Sequence, residues 1–291
     1  MTDEKVYLNG QIIPADQAGI SVFDEGFLHG ATVFTTMRAH HGKVFRLGEH
    51  LERLAGTVAV LGLHVETDAG ALTEAVARTL SANALSEARV RITLSPGAGA
   101  GVTTLVTAQP LTAYPAAWYE RGIATIVSSS RQWAGDPSYG NKTGCYLTRV
   151  LARQEAAEKG AEEALWYTAD NRLAEACFCN VFLVLEGKVF TPPRDTPVLP
   201  GIVRGAVIEL CERLGIPCDQ ATPLTVREML AAEEVFLTAS LTGVRPVCQI
   251  ERHEVGDGTP GAVTKRIMTE YLRLLDAECS TPPDMSNPQR A

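Results

Sequence analysis

The sequence lacks several features, and each absence excludes a class of function. No stretch reaches the ~20 apolar residues that a membrane-spanning helix requires. The opening MTDEKVYLNG is charged at once and has no apolar signal core, so a soluble, cytoplasmic protein without a membrane partner is expected. Cysteine is present but unpaired in pattern: Cys145, Cys177, Cys179, Cys211, Cys218, Cys248 and Cys279 form an odd set with no CxxC spacing. That speaks against a disulfide framework and against a zinc site, and no metal is expected. Cys177-Phe178-Cys179 reads instead as two small buried side chains on one face of a strand. Charge of one sign is not concentrated either. The 34 acidic and 26 basic residues give a net charge of -8 without long runs, which makes nucleic acid a poor partner.

What is there is a globular composition, 45% hydrophobic over 291 residues, enough for a large core or two ordinary ones. Val6 to Leu8, the turn dipeptide Asn9-Gly10, and Gln11 to Ile13 predict a β-hairpin. A β-rich run after Gly30 turns at His41-Gly42 into Lys43 to Arg46, and a helix begins near Glu49 with Leu51, Leu54 and Val58 on one face. A second helix is expected from about Ala71 to Ala84, then strands at Ala88 to Leu94 and Thr103 to Ala108. These make a small α+β N-terminal domain over 1–115, followed by an interdomain segment at 116–142 in which Ile123 to Val127 is β-branched. A larger domain over 143–279 alternates strands and helices, with a helix from about Thr143 to Lys159, a strand at Gln220 to Thr225 and a helix from Ile202 to Leu214. The tail 280–291 carries no core-building residues and is expected to be disordered.

Several positions could carry chemistry. Lys142 lies between a Gly/Asn turn and the expected first helical turn, where the positive end of the helix dipole disfavours an ammonium; a neutral amine is a nucleophile. A solvent-facing lysine is the alternative. Glu175, in LAEACFCNVFLV, is a carboxylate at a buried strand start and needs a cationic partner, either a pyridinium nitrogen or an arginine. In Leu199-Pro200-Gly201-Ile202-Val203-Arg204 a loop ends and a helix starts at once, so the free N–H groups of Ile202 and Val203 offer an anion site. Thr238 to Gly243 adds the Ser240 hydroxyl to a second wall, and Arg53 projects from a helix as a phosphate partner.

In order along the chain, the HxxRL of His50 to Leu54, the KTxxYL of Lys142 to Leu147, the LAE…NVF of Leu173 to Phe182 and the LPGIxR of Leu199 to Arg204 resemble the fold-type IV pyridoxal-phosphate enzymes. That family holds branched-chain and D-amino-acid aminotransferases, aminodeoxychorismate lyases and (R)-amine transaminases. The resemblance runs from Val6 to about Tyr271. It implies a two-domain α+β / α/β fold with a larger pseudo-barrel domain, and pyridoxal 5'-phosphate as cofactor. It casts Lys142 as the Schiff-base lysine and proton shuttle, Glu175 as the partner of the ring nitrogen, and Tyr146 as the residue near the cofactor's phenolic oxygen. Arg53, the backbone of Ile202 and Val203, and Ser240 are cast as the phosphate site. The implied reaction moves an amino group between an amino acid or amine and a 2-oxo acid, in a homodimer whose pocket is finished by the second subunit.

The substrate side departs from the family pattern. Where many relatives read F-x-Y/F-G-D-G-x-F-E, His29 replaces an aromatic residue and Ala31 and Thr35 replace acidic ones. Phe34-Thr35-Thr36 is similar to the lyases, which release pyruvate, so a lyase is the nearest alternative, and a non-catalytic cofactor-binding member is another. Pro96-Gly97 stands where lyases and D-amino-acid enzymes often carry Arg-Gly, which weakens both. His29, Phe34, Thr36, Arg91, Leu241 and Thr242 are the substrate candidates, with Arg91 placed to clamp a carboxylate ahead of Arg89, Arg38 and Arg46.

Overall fold

A computed structural model describes residues 4–99 and 101–280. The tail at 281–291, expected to be disordered, lies outside the described residues. The first half is a six-stranded antiparallel sheet in the order Gln11–Pro14, Lys5–Leu8, Gly101–Pro110, Ala88–Ala98, Val33–His40, Lys43–Val44. From Thr35 on, Val33–His40 alternates buried and half-buried residues, so one face is committed to a core. Helices Leu47–Leu61 and Ala69–Ala82 close that core. They contribute Leu51, Leu54 and Val58 from one and Leu72, Val76 and Leu80 from the other, at the spacing of a helical stripe.

The second half is a nine-stranded sheet that closes on itself. Six of its strands form a ring: Asn180–Leu185, Glu234–Ala239, Gly243–Ile250, Ile123–Gln132, Glu163–Thr168 and Leu173–Ala176, which returns to the first through Asn180 opposite Glu175. Ile123–Gln132, within the stretch expected to link the domains, is thus a barrel strand paired in parallel on both sides. Every residue of Glu163–Thr168 is buried, because both faces are covered. Leu165 and Tyr167 point into the barrel, while Ala164 and Trp166 pack under helix Leu147–Glu158. Helices Ile202–Leu214 and Ala262–Cys279 cover Phe182, Val184 and Phe236 on the other side.

Three local expectations are corrected. The helix after Lys142 starts at Leu147, not Thr143, because residues 142–144 are taken up by the edge of the first sheet. Phe34 N–H donates to Lys142 O at 2.9 Å, Gly144 N–H to Thr32 O at 2.8 Å, and Val33 bridges Thr143. The strand near Gln220 to Thr225 is replaced by Cys218–Asp219, after which Asp219 accepts the N–H groups of Ala221 and Thr222 and turns the chain. Cys177 and Cys179 are buried as expected, but in a bend between two strands.

Candidate active site

Between the first sheet and the barrel lies a cavity of about 450 Å³. Its wall contains the residues that the sequence assigned to a cofactor, Arg53, Lys142, Tyr146, Ile202, Val203 and Ser240, and the substrate candidates Phe34, Thr36, Arg91, Leu241 and Thr242. His29 is not among them. It sits on the short helix Glu25–His29 with its side chain 67% exposed, 3.7 Å from Glu25. Glu175 does not line the cavity either, but its carboxylate accepts the N–H of Leu199, which does, at 3.1 Å.

Lys142 reaches the cavity from the extended segment that bridges the first sheet, so its environment is set by tertiary packing and not by a helix dipole. Its amine donates to Tyr146 Oη at 3.2 Å and lies 4.7 Å from the centre of the Phe34 ring. Burial, reinforced by the positive charges of Arg53 and Arg149, pulls its pKa from 10.5 down to about 7. A lysine poised there is both nucleophile and base at neutral pH. Burial pushes the Tyr146 hydroxyl up, so it stays protonated and can exchange a proton with the amine.

Glu175 closes the barrel seam and is 3% exposed. Arg149, from the helix that follows Lys142, meets its Oε1 at 2.5 Å, and Gln132 Nε2 donates to the same oxygen at 3.0 Å. Arg149 also donates to the carbonyls of Ala176 and Cys177. Of the two partners that a buried carboxylate here could have, the arginine is therefore present. Among the described residues Oε2 receives only the Leu199 N–H, and a carboxylate has about four acceptor sites, so one remains free for a further donor.

At the other end, Arg53 is half-buried on helix Leu47–Leu61. Its guanidinium donates to Pro200 O at 3.2 Å and to Thr35 Oγ1 at 3.1 Å, and lies 3.3 Å from His50 Nδ1. None of these is a carboxylate, and burial lowers its pKa to about 10. His50 is held neutral, well below its usual value, by burial and then by Arg53 and Lys142. Its Nδ1 is hydrogen-bonded with the Thr35 hydroxyl at 2.7 Å.

Facing Arg53 is the start of helix Ile202–Leu214, whose N-cap Gly201 makes no side-chain cap bond. Only glycine fits there, because a Cβ would stand 2.0 Å from Asn180 Oδ1. Nearby, the buried hydroxyls of Thr238 and Thr242 have no partner among the described residues. Around the cavity, seven cations (Arg53, Arg89, Arg91, Lys142, Arg153, Arg204, Arg245) face two carboxylates, Glu162 and Glu163. Burial pushes Glu163 up as well. The donor set therefore calls for an anionic ligand: a guanidinium, free helix N–H groups and orphaned hydroxyls are a phosphate's partners, and the pyridoxal-phosphate assignment fits them.

Arg91, the expected carboxylate clamp, lines the cavity beside Phe34. Its guanidinium carbon lies 3.6 Å above the Phe34 ring, its Nε donates to Thr93 at 3.0 Å, and burial together with Arg89 lowers its pKa to about 10. Sequence reasoning assigned no role to Arg149, Gln132, Asn180, Arg153, Arg245 or Glu163. The one signal for Arg149 was the need of a buried Glu175 for a cation, combined with an arginine one turn into the helix after the Lys142 motif.

Residues 32–250 match the family model described as amino-transferase class IV. The chain is 30% identical to the branched-chain-amino-acid aminotransferase of Escherichia coli strain K12, over 96% of each chain. It is 28% identical to the D-alanine aminotransferase of Bacillus licheniformis, over 94% of this chain and 98% of that one. Among solved structures, a T.th branched-chain amino acid aminotransferase with pyridoxamine 5'-phosphate superposes with a TM-score of 0.89 at 28% identity, covering 95% of each chain.

Proposed function

The chain belongs to the amino-transferase class IV family, and on that premise we propose that it binds pyridoxal 5'-phosphate and takes an apolar amino acid of branched-chain type as amino donor. It is an aminotransferase, and a 2-oxo acid is the acceptor. The observation that carries the cofactor reading is the set of uncompensated donors, Arg53, the helix start at Ile202 and the unpartnered threonines, in one cavity with the Lys142 amine.

The phosphate is assigned to Arg53, the N–H groups of Ile202 and Val203, and the Ser240 hydroxyl. Glu175, held in place by Arg149, offers its spare acceptor site to the ring nitrogen. When bound, the cofactor supplies an electron sink for charge developing on the substrate carbon. Lys142 Nζ contributes the lone pair and carries the proton, with Tyr146 Oη at 3.2 Å as its exchange partner. Phe34, Trp118 and Leu241 give the substrate end an apolar wall, which supports a branched side chain.

A homodimer is part of the same reading. Ile20, Val22, Phe23, Phe27 and Leu28, close in sequence to His29, are all about half exposed or more, apolar surface that a second copy can cover.

Cofactor-free protein mixed with pyridoxal phosphate is expected to gain a visible band that borohydride bleaches, and Lys142→Ala to gain none. L-Leucine, L-valine or L-isoleucine is then expected to yield its 2-oxo acid in stoichiometric amount, with D-alanine as the contrast. No band in the native protein, or the same band in Lys142→Ala, would sink the cofactor reading. A response to D-alanine alone would move the substrate assignment.

A further inference from the structure

Two adjacent imidazoles meet one carboxylate where the first sheet touches the C-terminal helix. His40 is the last residue of Val33–His40, and successive strand residues point to opposite faces. His41 breaks that alternation: its φ of 51° places it in the left-handed region, and its ring comes to 4.0 Å from the His40 ring, centroid to centroid. Both Nε2 atoms then face Oδ1 of Asp276, at 3.4 and 3.0 Å. The three ligand atoms lie within 4.8 Å of one another. Behind them, Glu87 Oε1 accepts from His40 Nδ1 at 2.6 Å and from the His41 backbone N–H at 3.2 Å.

We propose that His40, His41 and Asp276 bind a divalent transition-metal ion of the zinc, nickel or copper class, with Glu87 as the positioning residue. Two imidazoles and one carboxylate select this class, whereas magnesium and calcium prefer all-oxygen sets. The spacing agrees, since two ligands held about 2.0–2.1 Å from a tetrahedral ion stand about 3.4 Å apart. Glu87 can only accept from His40 Nδ1. It therefore leaves the Nε2 lone pair of the neutral ring free for an ion, the arrangement that orients metal-binding histidines. The side chains of His41 and Asp276 are 52% and 62% exposed, so an ion can enter and water can complete its coordination.

The position gives the ion a consequence. It links the hairpin of the first sheet to helix Ala262–Cys279 on the barrel, beside Arg46, which already crosses to Glu209 at 2.6 Å and Glu278 at 3.1 Å. The strand that ends in His40 carries Phe34 and Thr36 into the cavity, so the ion fastens the two walls of the active site to each other.

Calorimetric titration of the untagged, full-length protein with Ni²⁺ at neutral pH is expected to show one site per chain, and Mg²⁺ none. Ni²⁺ is also expected to raise Tm by a few degrees. His41→Ala and Asp276→Asn should each weaken binding by more than about 10-fold and abolish the Tm gain, and Glu87→Gln should weaken it by about 10-fold. Cys145→Ser, which removes the exposed thiol, should leave Ni²⁺ binding unchanged. In metal-free buffer, His41→Ala should retain the amino-group transfer of the native protein, which keeps ion binding separate from the cofactor reading. If the native protein takes up no ion, or if His41→Ala binds as tightly as the native protein, the cluster is a hydrogen-bonded pair of imidazoles on Asp276 and Glu87 and the metal site is wrong. Should Asp276→Asn fail to fold, His41→Ala alone decides.

Discussion

Arg149, buried, and Arg53, half-buried, both lie close to Lys142, yet their surroundings are opposite. Arg149 meets Glu175 at 2.5 Å and two backbone carbonyls, and although burial alone would lower its pKa, the Glu175 carboxylate raises it. Arg53 has a carbonyl, a hydroxyl and an imidazole, no carboxylate among the described residues, and a pKa lowered to about 10. A buried charge without a partner is costly, and a fold retains one where a ligand supplies the missing charge. Arg149 therefore belongs to the architecture, bracing the seam where Glu175 and Asn180 close the barrel. On the proposed reading, Arg53 serves the ligand. The difference also explains why the cavity holds its donors ready: the compensated pair fixes the wall, and the uncompensated one waits for an anion.

The comparison breaks first on stability. Arg149→Met leaves Glu175 buried with only Gln132 and Leu199, and should destabilise the cofactor-free protein by about 3–5 kcal/mol in denaturant unfolding. Adding Glu175→Gln to it should recover part of the loss. Arg53→Gln should do the reverse, leaving cofactor-free stability unchanged or higher while weakening pyridoxal-phosphate binding by about 1.5–3 kcal/mol, roughly 10- to 150-fold. Equilibrium binding measured by absorbance decides. If Arg53→Gln costs as much fold stability as Arg149→Met, the two arginines are alike and the distinction fails.

The cofactor end of the site was legible because its parts are local. A lysine, an arginine on a helix stripe and a Pro-Gly helix start each sit within a short motif, and their order along the chain carries the rest. The helix at Ile202–Leu214 was placed to the residue, since Gly201 and Gly215 bracket it. Lys142 itself was placed in the wrong local structure. Its neighbours have helical character, but backbone pairing of Phe34 with Lys142 and of Gly144 with Thr32 wins, contacts between residues over a hundred positions apart that periodicity does not report. Gln132 was invisible for the same reason, and Arg149 carried only the one indirect signal, because both converge on Glu175 only when the barrel closes. At the substrate end, strand alternation put Arg89 and Arg91 on one face and the family resemblance favoured Arg91; both line the cavity, but the stacking of Arg91 on Phe34 is a tertiary choice.

Titration sharpens the comparison next. Lys142 has a folded pKa near 7 against 10.5 unfolded, so between those values the unfolded chain binds more protons. Stability of the cofactor-free protein should therefore rise with pH across about pH 7 to 10.5, by at most about 1.4 kcal/mol per pH unit. The cause is the positive charge of Arg53 and Arg149 added to burial, so Lys142→Met should flatten the slope relative to the native protein. An unchanged slope would mean that the cavity charge does not act on the amine.

The smallest effect is expected at His29. Its side chain is 67% exposed with one partner at 3.7 Å, and substitutions at such positions stay within about 0.5 kcal/mol. His29→Ala should accordingly leave stability unchanged, whereas Arg53 and Arg149 variants do not. Its kinetics carry a separate message. In a single chain His29 lies outside the cavity that Arg53 and Lys142 share, so an altered KM for the amino donor in His29→Ala requires a second copy to bring the residue to the cavity mouth. Measured alongside the sedimentation of a Phe27→Asp variant, whose apolar side chain is 65% exposed, it separates two cases. If Phe27→Asp yields monomers and shifts KM as His29→Ala does, the pocket is completed between chains. If KM is unmoved in both, each cavity is built by one chain alone.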